Sequence, residues 1–407
     1  MTEKLYYDDP SLLEFDASIL NDRANGALHE VVLDRTCFFP GGGGQPADRG
    51  TLGGARVVDM REQDSEIVHV IDAPAGSEGS RVRGTVDAGH RRDFMVQHTG
   101  QHILSQALLQ AGELPTVSVH FGDETTTIEL DVPSVTEDAL RRAESIANGI
   151  IMENRAIRVH DVDPRDAGRF PLRRKPPEVG RLRIVEVDSY DWAACSGLHV
   201  ATAGQIGLVK IVGQEKIRGR TRIHALIGAR AMEDYGRKIA VVQALTRTLT
   251  CGEADVLARV EELVRNARET ARELERLKVE AAAGDADAAV GQAPRRGESL
   301  LIHRVFHGAG PAYCKAFAER VVSAPGRAVV VVDSSDGSFQ WIAAHSLGER
   351  VQLPTIITPL LAPAHAKGGG RAAWMQGAGG GGANAEVFGT SVEEALDRAL
   401  KALERSP

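Results

Sequence analysis

Two histidines lie four positions apart in the stretch Gln97-His98-Thr99-Gly100-Gln101-His102-Ile103-Leu104-Ser105. On a helix, residues four apart project from one face, with Cβ atoms about 5–6 Å apart. Two imidazoles at that distance can bind one metal ion. The four-residue steps from Phe94 to His98 and His102, and from Leu104 to Leu108, predict a helix over residues 93–111. Taken alone, such a pair can equally be packing residues on an apolar helix face.

A second pair repeats this spacing far downstream, with a thiol and a third imidazole, in Cys195-Ser196-Gly197-Leu198-His199. Three histidine nitrogens and one thiolate make a tetrahedral zinc shell. The two pairs together predict one zinc per chain, held by His98, His102, Cys195 and His199. Four protein ligands are typical of a structural zinc, whereas a catalytic zinc keeps an open position. We therefore expect one ligand to be exchangeable, with His199 as the candidate, and substrate to enter on its side.

The charge balance limits how the chain can bind nucleic acid. Its 407 residues carry 48 Lys and Arg against 56 Asp and Glu, a net charge of −8. Aromatic residues make up only 4%, which leaves little material for stacking platforms. Residues 165–183 nevertheless hold seven Lys and Arg residues against two acidic ones. This basic stretch predicts phosphate contact, and a solvated surface loop is the alternative.

The cysteines and the hydropathy predict a cytoplasmic protein. Cys37, Cys195, Cys251 and Cys314 are far apart and have no spacing typical of a disulfide framework. The first nine residues are polar and lack the apolar region of a secretory signal. No apolar run approaches the ~20 residues that span a bilayer. We expect reduced thiols and no membrane partner.

The order of patterns along the chain predicts an α+β, multidomain fold. Short strands over residues 1–92 suit a small β-barrel-like domain with a glycine-rich loop, and residues 93–228 form the α+β zinc-containing core. Residues 229–284 are helical, and a heptad seam from Val256 to Ala281 predicts either a homodimer or an antiparallel pairing within the chain. A linker over residues 284–297 leads to an α/β C-terminal domain at 298–407.

Two glycine clusters are candidates for close contact with a ligand. Gly41 to Gly44 lie between Phe38-Phe39-Pro40 and Gln45-Pro46, and this flanking bulk predicts a loop held in one shape rather than a flexible one. Arg371 follows three glycines, residues 368–370, near the end of the chain. An arginine among glycines suits a phosphate or RNA backbone, with a disordered turn as the alternative.

Together these motifs resemble the AlaX family of free-standing alanyl-tRNA editing proteins, in its long form. The motifs are Phe38-Phe39-Pro40-x-Gly42-Gly43-Gly44-Gln45, His98-Thr99-Gly100-Gln101-His102 and Cys195-x-Gly197-x-His199-Val200, and the tail resembles the C-terminal domain of alanyl-tRNA synthetases. The family usually has Cys-Gly-Gly-Thr-His where this chain has Ser196 and Leu198, and Pro-Asp where Ala372 and Ala373 follow Arg371.

The resemblance implies ATP-independent, zinc-dependent hydrolysis of the ester on mischarged alanine tRNA, chiefly the serine ester, with the glycine ester as a further candidate. It places the family's serine-sensing threonine at Thr36, and Gln45 is the second candidate catalytic residue. Gly42, Gly43, Gly44 and Arg371 are the candidate substrate-binding residues. The alternatives are a non-catalytic, zinc-stabilised tRNA-binding protein and an editing fold recruited to another aminoacyl ester. A phosphoesterase is disfavoured because no Asp-His-His triplet occurs.

Overall fold

The chain divides into two units, Met1–Leu245 and Thr246–Pro407, in the computed structural model. The structure describes residues 1–176, 180–296, 298–335, 337–380 and 384–404. Helices and strands alternate in both units, which confirms the predicted α+β, multidomain class. Among the described residues, no helix is long and apolar enough to cross a membrane.

The first unit begins with a small closed barrel. Its N-terminal elements are β1 (Glu3–Lys4), α1 (Leu5–Asp8), β2 (Glu14–Asn25), β3 (Leu28–Leu33), β4 (Arg35–Thr36), β5 (Gly50–Leu52), β6 (Ala55–Gln63), β7 (Glu66–Ile71) and β8 (Arg81–Val86). Six strands close in the order β2-β3-β7-β6-β5-β8, and β1 pairs with β4 in parallel. Alternate residues of β2, Phe15, Ala17 and Ile19, are buried inside the barrel, as a period of two requires.

A 25-residue helix organises the rest of this unit. The elements are α2 (Ala88–Gly112), β9 (Thr116–Phe121), β10 (Thr126–Leu130), α3 (Glu137–Met152), β11 (Ile157–Val162), β12 (Leu182–Val187), β13 (Asp191–Ala194), β14 (Val209–Ile217), β15 (Arg220–Ile227) and α4 (Ala229–Leu249). Strands β14-β15-β10-β9 form one antiparallel sheet and β11-β12-β13 another. Thr136 caps α3 by accepting from the Ala139 N–H, as its position before two acidic residues predicts.

The second unit is a six-stranded sheet with helices on both faces. It contains α5 (Val256–Gln292), β16 (Arg295–Arg296), β17 (Ser299–His307), α6 (Pro311–Val321), β18 (Arg327–Ser335), β19 (Ser338–His345), α7 (Leu353–Leu361), β20 (Ala366–Arg371), β21 (Trp374–Gly379) and α8 (Ala385–Glu404). The order is β16-β17-β18-β19-β21-β20, and within the described part of this sheet the β17–β18 pair is parallel while the other pairs are antiparallel. One apolar cluster joins α5 and α6 to the sheet, and another joins α7 and α8 to it.

One prediction of irregular structure in this unit, the linker, is wrong, and so is the alternative of a disordered turn before Arg371. Residues 284–292 are not linker but the last turns of α5, and Gly297 lies outside the described residues. Ala282, Ala286 and Ala289 are buried against α6, so packing of this small-residue face outweighs the poor helix propensity of Gly284 and Gly291. The glycines before Arg371 form β20 rather than a turn, because β21 pairs with them along their whole length.

Candidate metal centre

Helix α2 carries the two histidines on a stretch that is buried on nearly every side. It begins earlier than predicted, at Ala88, where the Asp87 side chain accepts from the His90 N–H. Polar side chains inside the helix find partners: Gln97 Nε2 donates to the Ile227 carbonyl at 2.9 Å and Gln97 Oε1 accepts from the Thr126 hydroxyl at 3.0 Å. These bonds lock α2 against β15 and β10. His98 and His102 therefore have fixed positions.

The four predicted ligands meet at one point. One ligand atom from each of His98, His102, Cys195 and His199 lies within 4.8 Å of the others. Cys195 Sγ is 3.2 Å from His98 Nε2. Three of the four side chains are buried, and the Nε2 atom of His199 has no hydrogen-bond partner among the described residues. A buried nitrogen without a partner, facing a thiol and two more imidazoles, fits a zinc ion with nitrogen and sulfur ligands.

His98 and His199 each have a hydrogen-bond acceptor at Nδ1, which leaves Nε2 for a metal, and His102 has a carboxylate near its Nδ1. His98 Nδ1 lies 3.0 Å from Gln45 Oε1, and His199 Nδ1 lies 3.1 Å from Thr99 Oγ1. Gln45 Oε1 also accepts from the Leu198 N–H, and the Thr99 hydroxyl donates its proton to the Met95 carbonyl. Both oxygens can therefore only accept from the imidazoles, so Nδ1 carries the proton in each ring. His102 Nδ1 faces the Asp191 carboxylate at 3.5 Å.

The electrostatics of the cluster favour the metal-ligating forms of Cys195 and His199. Burial by itself would raise the pKa of the Cys195 thiol, but the three histidines outweigh it and hold that pKa well below its ordinary value. Burial lowers the pKa of His199 to about 3, so this imidazole is neutral. Burial would also lower the pKa of His102, but Asp191 and Cys195 raise it to about 9. A metal ion on Nε2 would take the place of that proton.

The glycine-rich loop lies directly against the ligands. A Cβ on Gly43 would lie 3.4 Å from His98 Cε1 and 3.5 Å from Cys195 Sγ, and its φ of +61° favours glycine. The loop is anchored at both ends of Phe39: its N–H donates to Asp48 Oδ2 at 2.6 Å and its carbonyl accepts from the Asp48 N–H. Asp48 is in turn paired with Arg91, two turns before His98 on α2. These contacts agree with a loop held in one shape.

Two side chains hold the cysteine loop that follows β13. Arg183 Nη1 donates to the Cys195 carbonyl at 3.2 Å and the Gly197 carbonyl at 2.5 Å. Its guanidinium lies 4.9 Å from the centre of the Tyr7 ring, and the Tyr7 hydroxyl donates to the Ser196 carbonyl at 3.1 Å. All three carbonyls of residues 195–197 therefore have donors. We call this arrangement of Arg183 and Tyr7 the loop clamp.

A cavity of about 1100 Å³ opens onto the centre. His98, His102, Cys195, Gly43 and Gly44 line its floor, and its rim is mostly basic, with Lys4, Arg173, Arg174, Lys175, Arg181 and Arg183. His199 is not among the lining residues, which disagrees with the expectation that substrate enters on its side. The accessible side of the centre is that of Cys195 and the α2 histidines.

The two departures from the family motif have different surroundings. Ser196 lines the cavity. Leu198 is fully buried in a cluster with Tyr6 and Phe39, away from the cavity lining. Of these two positions, only Ser196 can contact a molecule in the cavity.

Thr36 lies apart from the ligands, inside the barrel. It is fully buried, and its hydroxyl lies 2.9 Å from His69 Nε2 while accepting from the Phe38 N–H at 3.1 Å. His69 Nδ1 lies 3.2 Å from the Val31 carbonyl, which can only accept, so Nδ1 carries the proton. The unprotonated Nε2 therefore accepts a hydrogen bond from the Thr36 hydroxyl. Thr36 does not line the cavity. Through Phe38 it fixes the start of the glycine-rich loop.

Of the remaining candidate residues, Gln45 and Gly42 lie near the metal centre, and Arg371 lies in the second unit. Gln45 joins the centre through His98 and Leu198, and its Nε2 is buried without a partner among the described residues. Gly42 faces Ser196, whose Oγ would lie 3.2 Å from a Cβ at that position. Arg371 lies in the second unit, exposed at the end of β20.

Sequence reasoning did not find the residues that position the ligands: Thr99, Asp191, Arg183 and Tyr7. Two of them lie close to a ligand in the sequence: Thr99 follows His98, and Asp191 lies four residues before Cys195. Tyr7 and Arg183 carry no local signal, because their roles arise from the meeting of α1 with β12.

Comparisons with known proteins agree with this arrangement of motifs. The family described as "Threonyl and Alanyl tRNA synthetase second additional domain" matches residues 182–224, the segment that holds Cys195 and His199. The chain is 31% identical over 290 residues to the alanyl-tRNA editing protein AlaX-L of Pyrococcus horikoshii, covering 69% of this chain and 71% of that one.

Synthetases match as well. The alanine–tRNA ligase of Halorubrum lacusprofundi is 29% identical over 412 residues, covering 97% of this chain and 44% of the ligase. The chain thus spans less than half the length of this ligase. Among solved structures, the C-Ala domain of Aquifex aeolicus alanyl-tRNA synthetase is 18% identical over 28% of this chain and 94% of that domain, and its TM-score of 0.20 is too low to assign a fold.

The barrel, the cluster of candidate metal ligands and the shared sequence together define the class of alanyl-tRNA editing domains. The chain belongs to the AlaX family and resembles its long form.

Proposed function

We propose that this chain is a trans-editing hydrolase that cleaves the ester joining a wrongly attached amino acid to alanine tRNA. Serine is the main target, and glycine is the second. The observation that carries the proposal is the convergence of three imidazoles and a thiol, of which His98, His102 and Cys195 line a cavity rich in basic residues, in a chain of the AlaX family.

The cavity suits the end of an aminoacylated tRNA. A volume of about 1100 Å³ is ample for an aminoacyl nucleoside. Six lysine and arginine side chains on the rim, against Asp8 and Asp161, favour the phosphates of the acceptor end on a chain whose net charge is −8. The predicted basic stretch supplies five of these six cations, from Arg173 to Arg183.

His98, His102, Cys195 and His199 are the residues that would hold zinc, one ion per chain. Bound there, zinc would supply either a polarised water or an anchor for the substrate's amino group. The candidate ligands lie beside Gly43 and Gly44, which also line the cavity. Because these glycines have no side chains, the aminoacyl end of the tRNA can lie close to the backbone of the loop. Burial of the floor excludes bulk water from the ester.

Sparing of correct Ala-tRNA requires a site that demands the serine hydroxyl. A pocket whose polar groups pair with a hydroxyl rejects the analogue lacking it by roughly 10⁴–10⁵, because those groups are otherwise unpaired. Gln45 does not line the cavity, but it bonds His98 at the centre and has a buried amide nitrogen without a partner among the described residues, so we propose that it pairs with the hydroxyl after a local shift. Thr36 could contact substrate directly only by giving up its bond to His69, so we propose that it acts by fixing the loop at Phe38.

The second unit is proposed to bind the body of the tRNA. Arg371 is exposed on a glycine strand that leaves the backbone open to a phosphate. Arg371→Gln should weaken binding of alanine tRNA in a filter or anisotropy assay at fixed salt, with zinc content unchanged. Equal affinity in the variant and the wild type would contradict this role.

The experiment that tests the function is deacylation of Ser-, Gly- and Ala-charged alanine tRNA by the purified chain. We expect hydrolysis of the serine and glycine esters and slow hydrolysis of the alanine ester. Cys195→Ala should abolish activity, and Cys251→Ala, a half-buried cysteine of the second unit, is the matched control. Tight tRNA binding with no hydrolysis of any ester would favour the non-catalytic alternative.

A further inference from the structure

Asp191 is a buried carboxylate that the proposed reaction does not use. It is 2% exposed and begins β13, the strand that leads to Cys195. Its two oxygens face different partners, His102 Nδ1 and Arg173 Nη1, each at 3.5 Å. Neither oxygen has a hydrogen-bond partner among the described residues, so both contacts are ion-pair contacts at this distance. A buried charge is costly without compensation, so these two contacts need an explanation.

The strand geometry places Asp191 behind the metal centre. Residues four apart along a strand lie on the same face, about 13 Å apart at the usual rise per residue. The face of β13 that presents Asp191 therefore leads to Cys195, which follows the end of the strand. His102 on α2 has Asp191 at its Nδ1 and shares the centre with Cys195.

Asp191 differs in kind from the other two Nδ1 partners. His98 and His199 donate to neutral oxygens, those of Gln45 and Thr99, whereas His102 faces a carboxylate. A carboxylate accepts only, so it fixes the proton on Nδ1 and makes Nε2 the ligand atom. It also makes the imidazole a stronger electron donor to a metal.

Arg173 completes the arrangement from the cavity side. Its Nη1 donates to the His102 backbone carbonyl at 3.1 Å while facing Asp191, and Arg173 lines the cavity. The Arg173 guanidinium thus contacts both the backbone of His102, a candidate metal ligand, and the Asp191 carboxylate that faces the His102 ring.

We propose that Asp191 is a positioning residue of the metal centre, which holds His102 with Nε2 toward the ion and is itself held in place by Arg173. This inference rests on metal binding by the proposed ligand set, and it does not require that the bound metal hydrolyse an ester.

The test compares Asp191→Asn and Asp191→Ala in the full chain. Zinc affinity is measured by competition with a chromophoric chelator, and the cobalt-substituted protein is examined by absorption. Loss of a carboxylate behind a metal-bound histidine typically lowers metal affinity about 10–100-fold. We expect that loss in Asp191→Ala, a smaller loss in Asp191→Asn, and altered cobalt ligand-field bands with the thiolate charge-transfer band retained. Asp188→Asn removes an exposed charge nearby and should match the wild type.

Unchanged zinc affinity and unchanged cobalt bands in both Asp191 variants would overturn the proposal. So would a loss of folding stability in the metal-free state with affinity intact, since that outcome assigns Asp191 a purely structural role. Asp191→Asn is isosteric and keeps the fold testable if the alanine variant is unstable. Because deacylation is not part of this test, an inactive but zinc-binding wild type would contradict the proposed function alone.

Discussion

Thr36 and His69 form a buried polar pair that links the barrel to the glycine-rich loop. The hydroxyl donates to His69 Nε2 on β7 and accepts from the Phe38 N–H at the start of the loop, so its two bonds join the barrel to the loop. The pair shows how a residue can matter for a site that it does not touch. Its removal should affect stability and catalysis together.

Thr36→Val keeps the shape and removes both hydrogen bonds. We expect the variant to lose about 1–3 kcal/mol of stability, the scale of buried groups left unpaired, and to deacylate Ser-tRNA more slowly at normal zinc content. Thr51→Val, at an exposed barrel position, is the control. Chemical unfolding and initial rates are the measurements. If Thr36→Val has the wild-type rate and the wild-type stability, the proposed role of Thr36 in fixing the glycine-rich loop is wrong.

Burial of His69 makes the barrel sensitive to acid. Burial lowers the pKa of His69 to about 4, from an ordinary value near 6.5. Between these values the unfolded chain binds a proton that the folded barrel does not. This contribution to stability is therefore present above pH 6.5 and is lost as the pH falls toward 4. Between pH 7 and pH 5 the loss should be about 2 kcal/mol.

Hydrogen exchange in peptides covering β3 and β7, corrected for the intrinsic pH dependence, measures this loss. The same comparison in His69→Gln should lack this component, because glutamine does not titrate. A wild-type barrel as stable at pH 5 as at pH 7 would contradict the assigned neutral state of His69.

The four candidate ligands were predictable from sequence because each pair lies within one local segment. Four-residue spacing on a helix has a fixed geometry, and a thiol with imidazoles suggests zinc whatever surrounds them. The acceptors at Nδ1 were not predictable as a set. Gln45 comes from a loop more than 50 positions before His98, and only the fold brings their atoms to 3.0 Å.

At the scale of elements, the cysteine loop depends on the loop clamp. Arg183→Lys would leave a cation but lose the planar group that bonds two carbonyls and stacks on Tyr7. We expect weaker zinc binding and about tenfold slower deacylation, as for residues that orient a metal ligand. Arg158→Lys, an exposed arginine of β11, serves as the control. Zinc affinity and rates equal to wild type would show that the loop holds its shape without the clamp.

The helix predicted over residues 93–111 begins five residues earlier and ends one residue later in the structure, and the two errors of irregular structure in the second unit share one physical cause. Residues 284–292 and the glycines of β20 lack local propensity for the structure they adopt. Buried alanines against α6 and a fully paired neighbouring strand outweigh that propensity. Such tertiary effects are not visible in a local window of sequence.

At the scale of the molecule, α5 presents an apolar stripe to solvent. Val260, Leu263, Leu274 and Leu277 are 38–52% exposed along the predicted heptad seam. A homodimer through residues 256–281 stays a prediction, since the same stripe permits pairing within the chain. Leu263→Glu with Leu274→Glu in the full chain should give a monomer at concentrations where the wild type sediments as a dimer. Leu257→Glu, exposed but outside the seam, should not. A monomeric wild type would rule out this interface.

The central claim is that the four-residue centre hydrolyses the ester of mischarged alanine tRNA. The measurement that tests it most directly is the initial rate of Ser-tRNA and Ala-tRNA hydrolysis before zinc removal, after chelation and after zinc is restored. We predict cleavage of the serine ester well above that of the alanine ester, its loss with the metal, and its return with about one zinc per chain. Equal cleavage of both esters, or serine cleavage that persists without metal, would contradict the account.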